Sequence, residues 1–148
     1  MIFLFLENVD NKISYNGMSY YIEQTKLSYQ DALEECKKKF GTLFEPRDLS
    51  TNMYVTNAAI EHLNMYSPMP FRPHFWIGIR DNMTDEFIYE SGGWLNFTNM
   101  KGDEYSWGSG YCVLLSGDLS FLGKWIDVSC TTLSYSICEK KGKCLFSM

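Results

Sequence analysis

The chain has two imidazoles, His62 and His74, and they limit the catalysis open to it. They lack the H-E-x-x-H spacing of a zinc protease helix. No G-x-S-x-G turn presents a serine, no Gly-Lys loop cradles phosphate, and no C-x-x-C pair is present. A Cys–His nucleophile needs a free thiol beside a histidine. The five cysteines, Cys36, Cys112, Cys130, Cys138 and Cys144, instead suggest disulfides and an oxidising compartment. Asp103 and Glu104 are paired carboxylates of a type glycosidases use, but adjacent residues in one loop tend to diverge. The chain therefore reads as non-enzymatic.

The remaining chemistry is that of binding. A long polar loop, residues 98–111, holds Glu104, Tyr105, Ser106, Trp107 and Tyr111 among Gly102, Gly108 and Gly110, with Trp94 nearby. Loops of this length are usually functional or disordered. Aromatic faces can stack on a pyranose or bury into a protein partner. The same rings can simply fill and hold the loop. The segment around Pro68, Pro70 and His74 is a second candidate surface, or else a rigid connector. The triplets Asn82-Met83-Thr84 and Asn96-Phe97-Thr98 match the N-glycosylation acceptor pattern.

The elements that must position these groups can be read from periodicity. Met18 to Gln24 reads as a strand. Ser28 and Asp31 form a capping box, and Ala32, Leu33, Cys36 and Phe40 share a helical face that Gly41 can terminate. Ser50 or Thr51 can cap a second helix striped by Val55, Ala58, Ala59 and Leu63, which the prolines end. Strands are expected over residues 75–79, 87–89, 95–97, 112–115, 124–128 and 135–139. Two helices followed by short strands and one long loop argue an α+β class.

Composition agrees with one domain. Hydrophobic residues make up 45% of the 148, charged residues 21%, and the formal net charge is −5. Lysines cluster only as Lys37-Lys38-Lys39 and Lys140-Lys141, so nucleic acid is not expected as a partner. No run reaches the ~20 apolar residues of a membrane span. The apolar Met-Ile-Phe-Leu-Phe-Leu start is the stub of a truncated signal or a first strand. Residues 1–14 are taken as an N-terminal extension or signal remnant, 15–141 as the domain, and 142–148 as a C-terminal tail.

The Tyr20-Tyr21 strand, the Ser28 to Cys36 helix, Trp76-Ile77-Gly78, Trp125-Ile126-Asp127 and the Cys112, Cys130, Cys138 framework together resemble the C-type lectin-like domain family. Four cysteines alone permit three connectivities. The resemblance implies Cys36–Cys138 and Cys112–Cys130. Closing loops of these lengths stabilises by roughly 4–5 and about 3 kcal/mol.

Sugar-binding members usually use calcium, which takes six to eight oxygens. The resemblance places an E-P-N or Q-P-D triplet in the long loop, an acid before the third cysteine, and W-N-D on the next strand. Here Glu104 is kept, but Tyr105 replaces the proline and Ser106 the amide. Tyr111 precedes Cys112 without a carboxylate, and Ile126 stands where the amide of W-N-D belongs, beside a kept Asp127. Glu104 and Asp127 are two surface acids or the relict of a calcium site. Asp81 and Asp85 match auxiliary ligands whose loop partners are here Trp107 and Tyr111. No metal or other cofactor is therefore expected.

The expectation is a secreted recognition domain that binds a glycan or a protein without calcium, through Glu104, Tyr105, Ser106, Trp107, Tyr111 and Asp127. The alternatives are a calcium-dependent lectin with rearranged ligands, or a structural protein of matrix, ice or mineral surfaces. Cys144, the odd cysteine, suggests a disulfide-linked dimer, a mixed disulfide, a free thiol or an unexpected internal bridge.

Overall fold

A computed structural model describes residues 12–66, 72–84, 86–101 and 111–140. In chain order the elements are β1 (Lys12–Tyr15), β2 (Met18–Leu27), α1 (Tyr29–Lys39), β3 (Thr42–Leu43), α2 (Leu49–Tyr66), β4 (His74–Asp81), β5 (Phe87–Tyr89), β6 (Cys112–Ser116), β7 (Trp125–Val128) and β8 (Ser134–Lys140). One sheet runs β1-β2-β8-β4-β6-β7, with β3 on β8 and β5 on β4. All pairings are antiparallel except β4 with β8, where Phe75 faces Tyr135 and Trp76 faces Ser136. The two helices and mixed sheet are the expected α+β class.

The helices cover opposite faces of this sheet. Val55, Ala59, Ile60 and Leu63 of α2 join Phe75, Ile77, Ile79, Leu115, Trp125 and Ile137 in one core cluster. Ala32, Leu33 and Cys36 of α1 join Trp76, Leu114, Cys112 and Cys138 in the other. Strand β4 is therefore apolar almost throughout, because both of its faces are covered. Gly78 interrupts it where a side chain would meet the Leu43 carbonyl at 2.9 Å. The structure joins Cys36 to Cys138 and Cys112 to Cys130.

Local signals fix the helix starts. The Ser28 hydroxyl accepts the Asp31 amide, capping α1. The second helix is capped by Asp48, not by Ser50 or Thr51: its Oδ1 accepts the Thr51 amide at 2.8 Å. Asp48 stands two residues before Ser50, so the helix starts at Leu49, earlier than a Ser50 or Thr51 cap would begin it.

Two further departures concern strands. Among the described residues the sheet starts at Lys12, inside the segment 1–14 read as an extension. The Asn16-Gly17 turn makes this possible, since both residues have positive φ, 50° and 79°. That pair suits a two-residue hairpin. Residues 95–97 form no ladder; isolated bridges Ile88↔Trp94 and Met100↔Trp125 frame them instead. The Met-Ile-Phe-Leu-Phe-Leu start and Cys144 lie outside the described residues.

Candidate ligand-binding end

The site expectations gather at the end of β6 where the chain leaves the long loop. The Asp81 amide, at the end of β4, donates to the Tyr111 carbonyl at 2.8 Å. On the other side β7 pairs with β6, placing Asp127 opposite Val113 and Ile126 opposite Leu114. Asp81 and Asp127 thus flank the start of β6 from its two neighbouring strands.

Asp127 is not a surface acid. It shares the buried face of β7 with Trp125, two residues before it, and is 4% exposed. Burial pushes its carboxyl above the usual aspartate range, and the negative charge of Asp81 pushes the same way. A backbone hydrogen bond from its own amide pulls partly back. Asp81 is also buried, and its Oδ1 accepts the Met83 amide at 2.7 Å, holding the turn after β4.

Tyr111 is 46% exposed at the mouth of the loop, and Trp94 is 65% exposed beside β5. Trp76 and Trp125 are wholly buried and belong to the core. His74, on β4, is held below the usual imidazole range by burial, against a weaker pull from Asp118. Glu104, Tyr105, Ser106, Trp107 and Asp85 lie outside the described residues.

Two polar networks position this end, and neither was read from the sequence. In the first, the Trp125 indole donates to Asn52 Oδ1 at 2.8 Å, and Asn52 Nδ2 donates to the Gly123 carbonyl at 2.9 Å. Helix α2 thereby fixes the strand that carries Asp127. In the second, buried Glu45 accepts the Ser91 amide and hydroxyl, each at 2.8 Å, and Arg47 at 2.9 Å. Arg47 stacks over the Tyr89 ring at 3.9 Å. The Tyr89 hydroxyl lies 2.8 Å from the Pro46 carbonyl and 2.7 Å from Asn96 Oδ1, tying down the segment after β5. The only sequence signal for Asn52 was its place in the buried stripe with Val55, Thr56, Ala59 and Leu63.

A protein-family model described as the Lectin C-type domain matches residues 25–140. The chain belongs to the C-type lectin domain family. Among relatives, this C-type lectin domain is 32% identical over 124 residues to Collectin-10 of Xenopus tropicalis, covering 81% of this chain and 41% of that protein. It is 34% identical over 115 residues to C-type lectin domain family 3 member A of Mus musculus, covering 75% and 54%. It thus spans about half the length of these relatives, or less. Human lithostathine superposes with a TM-score of 0.74 at 23% identity, covering 88% of this chain and 97% of that one, a likeness of fold.

The family's calcium chemistry can be tested against the described positions. Tyr111 brings a phenol, Ile126 a hydrocarbon, and Asp127 one carboxylate. Such a set does not fit a hard dication. Among the described residues, no group of three or more His, Cys, Asp or Glu could hold a metal. No helix among them is long and apolar enough to cross a membrane.

Proposed function

We propose that this C-type lectin domain is a secreted, non-catalytic recognition module that holds a glycan or a protein ligand without calcium. The observation that supports the reading is the set of side chains at the family's ligand positions: Ile126 and Tyr111 bring neither a carboxylate nor an amide oxygen, and Asp127 is a single buried carboxylate. One carboxylate beside a hydrocarbon and a phenol leaves most of a shell of six to eight oxygens unfilled. The mouth of the loop offers aromatic surface instead. Tyr111 is exposed there, and Tyr105 and Trp107 follow the same chemistry, with Glu104 and Ser106 as polar contacts. The two disulfides suit an oxidising compartment. Cys144 is assigned to a bond with another chain, which non-reducing electrophoresis of wild type and Cys144→Ser would display as a dimer band lost in the variant.

A glycan array probed with and without chelator tests the calcium reading. Binding should survive chelation, and millimolar calcium should leave the melting temperature unchanged. A site with a Kd a hundredfold below the calcium concentration would add about 2.7 kcal/mol. A calcium-dependent rise of several degrees, abolished by Glu104→Ala with Asp127→Ala, would overturn the reading and restore a calcium lectin. Trp107→Ala should weaken binding of a glycan found on the array while leaving stability nearly unchanged.

A further inference from the structure

Residues 94–98 alternate in exposure. Trp94, Asn96 and Thr98 face solvent, while Leu95 and Phe97 are half-buried against the core, Phe97 edge-on to Trp125 at 5.4 Å. The alternation leaves Trp94 and Asn96 both on the solvent side, two residues apart along the chain. The backbone of Trp94 is bridged to Ile88, yet 65% of the residue is left in water. The indole is left uncovered on a backbone that Ile88 holds in place.

We propose that Asn96 carries an N-linked glycan whose first sugar lies on the Trp94 indole. The exposed tryptophan is then a platform for the chain's own glycan. The inference rests on the secretory part of the function proposed above and on no ligand of the domain.

Three observations place the sugar there. Asn96-Phe97-Thr98 is an acceptor triplet with both Asn96 and Thr98 exposed. Asn96 Oδ1 faces the Tyr89 hydroxyl at 2.7 Å, and no described residue accepts a hydrogen bond from its Nδ2. A sugar on Nδ2 leaves Oδ1 free to accept, so this contact is compatible with the modification. Finally, the apolar face of a pyranose carries C–H groups of slight positive charge, and these match the negative face of an indole.

In the modification, Asn96 Nδ2 forms a bond to sugar C1 as the C1–oxygen bond of a lipid-diphosphate-linked oligosaccharide breaks. The lipid diphosphate leaves with the bonding electrons, and the Nδ2 proton passes to a base. Asn82 offers a contrast within the same chain. It is half-buried, its Oδ1 is tied to the Thr84 amide and hydroxyl, and the residue two before it is Arg80, paired with Glu90. A sugar on Asn82 has no aromatic ring two residues before it to lie on.

The test uses the full chain, secreted from eukaryotic cells behind an added signal sequence, as wild type, T98A, W94A and the double variant. Thr98→Ala removes the acceptor triplet but keeps Asn96 and its bond to Tyr89. Intact mass should show one glycan fewer in T98A than in wild type. T98A should melt roughly 2–4 °C lower than wild type, the scale of one aromatic stack in a chain of this length. In the W94A background the same substitution should leave melting unchanged. Acrylamide should quench tryptophan emission more strongly in T98A than in wild type. No mass difference, or an equal melting shift in both backgrounds, would overturn the proposal. So would unchanged melting in T98A, which would leave Trp94 to an external partner.

Discussion

The bond between Trp125 and Asn52 can be broken on one side with little else disturbed, and its strength can be worked from the structure. Both residues are 0% exposed, and the indole N–H reaches Asn52 Oδ1 at 2.8 Å. In Asn52→Ala that donor is left buried without a partner, a loss of about 1–3 kcal/mol. The Gly123 carbonyl is not orphaned with it, because Asn99 Nδ2 also donates there at 2.8 Å. Alanine favours the helix over asparagine by about 0.5 kcal/mol, which offsets part of the loss. The net change is roughly 0.5–2.5 kcal/mol. With a urea slope of about 2 kcal/mol per molar, the denaturation midpoint falls by roughly 0.3–1.2 M with the disulfides intact. The decisive measurement is the cycle with Trp125→Phe, which has no N–H to orphan. Asn52→Ala should cost markedly less in that background, by about 1 kcal/mol or more. Equal costs in the two backgrounds would refute the anchor and with it the account of how β7 holds Asp127 in place.

Two further outcomes follow from the bridges and from Asp127. Removing Cys36–Cys138, which spans 102 residues, should lower stability by about 4.7 kcal/mol, and removing Cys112–Cys130, which spans 18, by about 3.2 kcal/mol. Chemical denaturation of the paired alanine variants gives the order, and a crossed pairing in unreduced peptide maps would contradict the fold. The raised pKa of Asp127 means that the folded chain keeps a proton the unfolded chain loses above about pH 3.9. Stability therefore declines as pH rises from there through the folded pKa. Asp127→Asn should flatten that decline and raise the denaturation midpoint at pH 7; a lower midpoint would mean that the ionised carboxylate is stabilised by the fold.

The residues most constrained by packing were the most legible. Trp76-Ile77-Gly78 announced a strand, and the stripe of Ala32, Leu33, Cys36 and Phe40 announced α1, because burial there demands apolar residues at one period. Strand β1 was not legible in that way, since it has one buried apolar residue, Ile13, and its signal is the Asn16-Gly17 turn beside it. Residues 95–97 alternate as a strand does but find no partner, and alternation reports burial, not pairing. Asp127 was open to a better reading: a core tryptophan two residues earlier puts it on the buried face. Asn52 was harder, because a polar residue in an apolar stripe does not reveal which distant donor it meets.

The register of the outer strands has a mechanical consequence. Lys12 pairs with Tyr21, and Tyr21 with Cys138, so the two flanks of the domain leave the sheet about 10 Å apart. Tension applied across those flanks would first peel β1 and β2 from β8. It would then meet the covalent link between Cys36 and Cys138, and from there the load would run through sulfur and bypass the chain between them. That bypassed stretch contains β4, β6, β7 and the loop before β6. A domain strung in this way can be pulled by what it is tethered to without slackening the surface it presents.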